Sequence, residues 1–92
     1  MASTIQTLKN KSRYIMYLNG TDAHMTIDRI IVPNSTPKKM FSKLIVNKPN
    51  FIVILNNNTV KKYVAKIESL GFKLVEQIEY NSFETQMYFE AV

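Results

Sequence analysis

Two groups of residues in this chain could carry chemistry, and both are cationic. Thr36, Lys38 and Lys39 flank a Thr-Pro step. There Thr36 suits a helix N-cap, and Pro37 suits the first helical position because its missing N–H would be unpaired anyway. Lysines in a first helical turn oppose the helix dipole, so an anion bound there relieves a few tenths to about 1 kcal/mol per lysine. Phosphate binding, as in a cofactor, is the chemistry this pattern offers; two solvated lysines in a lysine-rich chain are its plainer alternative. The second group is Lys9, Lys11, Arg13, Lys61 and Lys62, candidates for a nucleic-acid or partner-binding surface with Tyr14, Tyr17 and Tyr80 as stacking platforms.

Other reactive side chains do not assemble into a site. His24 lies beside Asp22 and near Asp28 but has no serine or cysteine to activate, so it reads as a structural or exposed histidine. Glu76, Glu79, Glu84 and Glu90 fall on mixed faces of a terminal hairpin, with no pair in metal or glycosidase geometry. The chain has no cysteine, which excludes disulfides, zinc-thiolate sites and thiol nucleophiles, and a lone histidine disfavours an imidazole-built metal site. The expectation is no catalytic residue and no metal.

The 92 residues suffice for one domain with one modest core, and at 46% hydrophobic the composition is that of a folding chain. The net charge of +5 hides a split: residues 1–67 hold eleven Lys/Arg against two Asp, and residues 68–92 hold one Lys against five Glu. Such a dipole can steer the basic part toward nucleic acid, a phosphate-bearing cofactor or an acidic protein. Ten Lys, ten Ile and nine Asn against two Arg also match the bias of an AT-rich genome, common in phages and low-GC bacteria. Because no apolar run reaches signal-peptide or membrane-span length, the expected protein is soluble and cytoplasmic.

These residues need elements to hold them. Residues 1–12 read as an arm or a short helix, with Ser3 and Gln6 as a capping box. Residues 13–92 read as one domain. Arg13 to Asn19 is a strand ending at the Asn19-Gly20 turn, and His24 to Val32 is a second strand closing at Pro33. After Thr36-Pro37, Met40, Phe41, Leu44 and Ile45 share one helical face. Phe51 to Leu55 has no polar side, the pattern of a central strand covered on both faces. A turn of Asn56 to Asn58 leads to a helix, capped by Asn58 or Thr59, whose Val60, Tyr63, Val64, Ile67 and Leu70 share a face and which stops at Gly71. Two alternating strands follow, a terminal hairpin with one buried face. The fold class is α+β: a mixed, mostly antiparallel sheet of about five strands with two helices, in the order ββαβαββ.

That order resembles the GNAT acetyltransferases from their second strand onward, over residues 13–92. IDRIIVPNSTPKKMFSKLI looks like the strand, phosphate loop and helix that bind acyl-CoA, and FIVILNNNTVKKYVAKIESLGF like the next strand and helix. Small acetyltransferase-like phage proteins, including internal virion proteins of podophages, look similar in size. The family cradles the cofactor pyrophosphate on a Gln/Arg-x-x-Gly-x-Gly/Ala loop, whose glycines let backbone N–H groups close on it. Here Pro33 to Lys38 contains no glycine. Counting back from Gly71, the family's asparagine falls on Val60 and its general-acid tyrosine on Ile67, neither of which can protonate a leaving thiolate. Tyr63, one turn earlier, is the available substitute.

The resemblance therefore implies a GNAT-like protein that acts by binding, as a virion component or host-interaction protein. Its partner would be a protein, or another copy paired through a sheet edge, with nucleic acid a further possibility; no cofactor and no membrane are expected. Two alternatives stay open. One is a reduced acetyltransferase using acetyl-CoA, and the other a small basic nucleic-acid-binding regulator or inhibitor.

Overall fold

Phe51 through Leu55 are all buried, and the strand they form, Phe51–Asn56, lies inside the sheet as its apolar run predicts. The computed structural model describes residues 4–19, 22–33 and 36–92. In chain order its elements are α1 (Thr4–Lys11), β1 (Tyr14–Asn19), β2 (Asp22–Ile27), β3 (Ile30–Ile31), α2 (Pro37–Asn47), β4 (Phe51–Asn56), a 3-10 turn (Asn57–Thr59), α3 (Val60–Ser69), β5 (Phe72–Glu79) and β6 (Glu84–Ala91). The strands form one sheet in the order β3-β2-β1-β4-β6-β5. Only β1 and β4 run parallel, pairing Tyr14 with Phe51 through Leu18 with Leu55. The other neighbours are antiparallel.

The class is α+β as expected; the described residues form six strands in place of about five, and two helices within the domain preceded by a third at the N-terminus. One extra strand arises because His24 to Val32 is not continuous. Asp28 and Arg29 both take positive φ, 52° and 68°, the signs required of a two-residue type I′ hairpin loop. The chain folds back there, pairing Ile27 with Ile30. Of the two alternatives for residues 1–12 the short helix is the one formed: α1 is closed at its end by Ser12, whose N–H and hydroxyl both donate to the Leu8 carbonyl. Ser3 of the expected capping box and Gly20 of the expected turn lie outside the described residues.

Helices cover both sides of the sheet. Met40, Phe41 and Leu44 of α2 and Ile67 of α3 join Met16, Met25, Phe51, Val53, Met87 and Phe89 in the larger core. On the opposite side Leu8 of α1 packs on Ile15, Ile52, Ile54 and Tyr88. This second layer corrects the expectation of a hairpin with one buried face: Thr85 through Phe89 of β6 are buried without interruption.

A register shift between Leu74 and Glu76 completes the correction. Leu74, opposite Phe89, belongs to the larger core, whereas Ile78, opposite Gln86, belongs to the smaller one. Without the bulge, residues four apart would face the same way. Leu74 and Ile78 do not share the single apolar face that their spacing suggests.

Helix ends follow their expected chemistry in two of three places. Thr36 is extended and caps α2, with Pro37 opening it. Gly71, at φ 95°, follows α3 as the left-handed stop. Neither Asn58 nor Thr59 caps α3 through its side chain; the Thr59 hydroxyl donates instead to the Asn56 carbonyl at 2.9 Å, tightening the 3-10 turn. Among the described residues no helix is long and apolar enough to cross a membrane.

Candidate functional site

Thr36, Lys38 and Lys39 come together at the start of α2. The Thr36 hydroxyl accepts from the Lys39 backbone N–H at 3.3 Å, so that oxygen already serves the helix. Lys38 and Lys39 are exposed. The segment that leads into this helix leaves from β3, an edge strand separated from β4 by two strands.

The other basic residues divide between the two faces. Lys11 and Arg13 line a cleft of about 380 Å³ where α1 turns into β1, with Tyr14, Asn50 and Tyr88 also in its wall. Lys9 lies in the last turn of α1 beside them. Lys61 and Lys62 sit on α3, across the sheet from α1, so the five do not form one surface. Lys62 places its Nζ 5.4 Å from the Tyr63 ring centroid.

Arg13 is occupied. Its Nε and Nη2 donate to the two carboxylate oxygens of Asp28 at 2.8 and 3.0 Å, a bidentate pair that fastens the β2–β3 turn to the start of β1. The hydrogen bond from Arg13 holds the Asp28 carboxyl below its ordinary range, and the reciprocal bond raises the guanidinium. Nearby, the Tyr88 hydroxyl donates to Glu90 at 3.2 Å. Burial first, then the Glu90 charge, pushes that phenol upward, so it stays protonated at neutral pH.

The remaining candidates resolve into packing. His24 stacks on Tyr17 across β1 and β2, with ring centroids 4.4 Å apart and planes 12° from parallel. Asp28, its sequence neighbour in a would-be acid-base pair, is held by Arg13. Ile67 is completely buried and Val60 packs against the same core. Tyr63 leans on Phe41 at 6.4 Å between centroids. Tyr14 packs toward the larger core, Tyr17 toward the smaller one, and Tyr80 lies past the end of β5, so these three tyrosines do not make one platform. Among the described residues no group of three or more His, Cys, Asp or Glu could hold a metal.

Two features escaped sequence reasoning. The first is a groove of about 340 Å³ between α2 and α3, lined by Lys38, Phe41, Ser42 and Ile45 from one helix and Lys66 and Leu70 from the other. The signal was present in the i, i+3, i+4, i+7 spacing of Lys38, Phe41, Ser42 and Ile45. Ile45, counted on the apolar face, is 46% exposed. The second is the tip of the β5–β6 hairpin, where Tyr80 and Phe83 are 62% and 77% exposed. The tip is well braced. The Asn81 side-chain oxygen accepts from the N–H groups of Phe83 and Glu84, both at 2.8 Å, and Asn57 donates to the Asn81 carbonyl at 3.1 Å.

No protein-family model, no curated protein and no solved structure matches this chain.

Proposed function

We propose that this chain works by binding and not by catalysis: a GNAT-like phage protein that serves in the virion or acts on a host component. One observation carries the reading. Of the two positions where the resemblance would require hydrogen-bonding chemistry, Ile67 is in the core with no exposed surface at all, and Val60 is a half-buried apolar side chain packed against it. The Ile67 side chain supports the sheet and cannot reach a ligand, and the Val60 side chain has no group that could hydrogen-bond one. Thr36, which would have to meet a cofactor phosphate together with Lys38 and Lys39, already accepts a helix N–H.

A protein partner accounts for the apolar side chains left in solvent. Ile30 and Ile31 on the edge strand are 71% and 64% exposed, and Phe83 projects from the hairpin tip. The test is calorimetric titration with acetyl-CoA, for which no binding is expected. Micromolar affinity would overturn the reading in favour of a reduced acetyltransferase.

A second reading, nucleic-acid binding, is favoured by Lys11 and Arg13 in one cleft with Asn50. It expects a gel shift that weakens steeply with salt, because phosphate contacts release counterions. Since the Arg13 fork is engaged with Asp28, Lys9 and Lys11 would carry most of that dependence.

A further inference from the structure

The α2–α3 groove and the hairpin tip have opposite charge and matching apolar character. The groove sets the apolar surfaces of Phe41, Ile45 and Leu70 among two exposed cations, Lys38 and Lys66. The tip sets two exposed rings, Tyr80 and Phe83, between the carboxylates Glu79 and Glu84. An exposed phenylalanine on a loop held by three hydrogen bonds from and to asparagine side chains is preorganised, so seating it loses little conformational freedom. Phe83 is not seated in its own chain's groove, because more than three quarters of it faces solvent.

We propose that the chain associates with further copies of itself, head to tail, the Tyr80–Phe83 tip of one copy entering the α2–α3 groove of the next. The inference rests on the reading that this protein works by binding, and it names the partner. The contact joins two different surfaces, so it is heterologous: every open assembly keeps one free tip at one end and one free groove at the other, and growth continues until a ring closes or a filament forms. The charge split between residues 1–67 and 68–92 has the sense such an arrangement needs, a basic groove on the first part and an acidic tip on the second.

Analytical ultracentrifugation over a concentration series tests this with the full chain and two variants. Phe83→Asp removes the tip and leaves the groove. Lys38→Glu with Lys66→Glu reverses the groove and leaves the tip. All three positions are exposed, so no buried contact is lost; Glu at position 38 suits the first turn of α2, whereas Glu at position 66 opposes the dipole in the last turn of α3, and thermal melting checks that both variants stay folded. The expected result is wild-type association that weakens with salt and continues past the dimer, with each variant alone monomeric. Mixing the two variants then gives a heterodimer that stops at two chains, since only one intact tip and one intact groove remain between them. A wild-type chain that stays monomeric up to millimolar concentration, a variant that still self-associates, or a mixture that stays monomeric would each overturn the proposal. Acetyl-CoA titration of the Phe83→Asp variant, which keeps Thr36, Lys38 and Lys39, is independent of these outcomes, so failure of the self-association and failure of the non-catalytic reading are told apart.

Discussion

The Nζ of Lys48 donates to the carbonyl of Leu70 at 2.9 Å, tying the end of α2 to the end of α3. The same residue takes a left-handed φ of 49° and caps α2 with its own N–H, which donates to the Leu44 carbonyl at 2.8 Å. Its ammonium also lies 4.9 Å from the Phe72 ring centroid. One side chain therefore fixes how the two helices meet beside the groove.

Lys48→Met keeps the aliphatic stem and removes the donor. It should lower the unfolding free energy by roughly 1 kcal/mol in chemical denaturation. Gly71→Ala should cost about 1–2 kcal/mol, because φ 95° is strained for any residue with a Cβ. The added Cβ would also stand 2.7 Å from the Lys48 Nζ, so the Gly71→Ala loss should shrink in the Lys48→Met background.

The Arg13–Asp28 pair gives a pH dependence whose sign is fixed. The folded-state pKa of Asp28 is depressed, so its contribution to stability is present above the unfolded carboxyl value and fades as pH falls through the folded one. Arg13→Gln should therefore destabilise the chain at neutral pH, with the difference from wild type vanishing in acid. NMR titration should find the Asp28 carboxyl moving back up toward its ordinary range in that variant.

Thr26 holds the one buried side-chain polar atom among the described residues that lacks a hydrogen-bond partner. It pairs with Ile15 on one side and Ile31 on the other, an apolar setting for a hydroxyl. Thr26→Val keeps the branched shape and removes the orphaned group, so stability should rise by about 1 kcal/mol, read from the denaturation midpoint at constant m-value.

Ile67→Tyr would restore the side chain that the resemblance places at this position. Because Ile67 is fully buried, the larger ring should overpack the core and cost about 1–3 kcal/mol. Acetyl-CoA binding should not appear. Recovery of binding with native stability would contradict the assignment of this position to the core.

The parts of the fold legible in the sequence are those with local causes. Phe51 to Leu55 announces a two-sided strand, Thr36-Pro37 starts a helix, and Gly71 ends one. The break at Asp28 and Arg29 was hidden because a type I′ loop ordinarily advertises itself as Asn-Gly, Asp-Gly or Gly-Gly, and although Asp28 fits the first position, Arg29 stands where the glycine is expected. Likewise the bulge before Glu76 leaves the alternation of β5 looking regular while sending Leu74 and Ile78 to different sides. A helix as short as α1 depends on packing and not on propensity, so its coverage of Ile52, Ile54 and Tyr88 could not be read locally. For the site, Lys38 was recognisable as a first-turn cation. Its placement in a groove requires Lys66 and Leu70 from α3, and that juxtaposition exists only once both helices lie on the same side of the sheet.

The single parallel pairing has a consequence for how the chain reaches this structure. It divides the sheet into two stretches, β1-β2-β3 and β4-β6-β5, each continuous in sequence and each closed by its own antiparallel partners. Within the first stretch strands meet through short turns, as do β5 and β6 in the second, but Phe51 of β4 must reach Phe89 of β6 across α3 and β5. Across the β1–β4 seam, Tyr14 must find Phe51. Loop closure is therefore shared by two pairings of similar span, both made by β4: the hairpins β1-β2-β3 and β5-β6 can form from local contacts, and β4 is the strand that joins them, tethered by α2 on one side and α3 on the other.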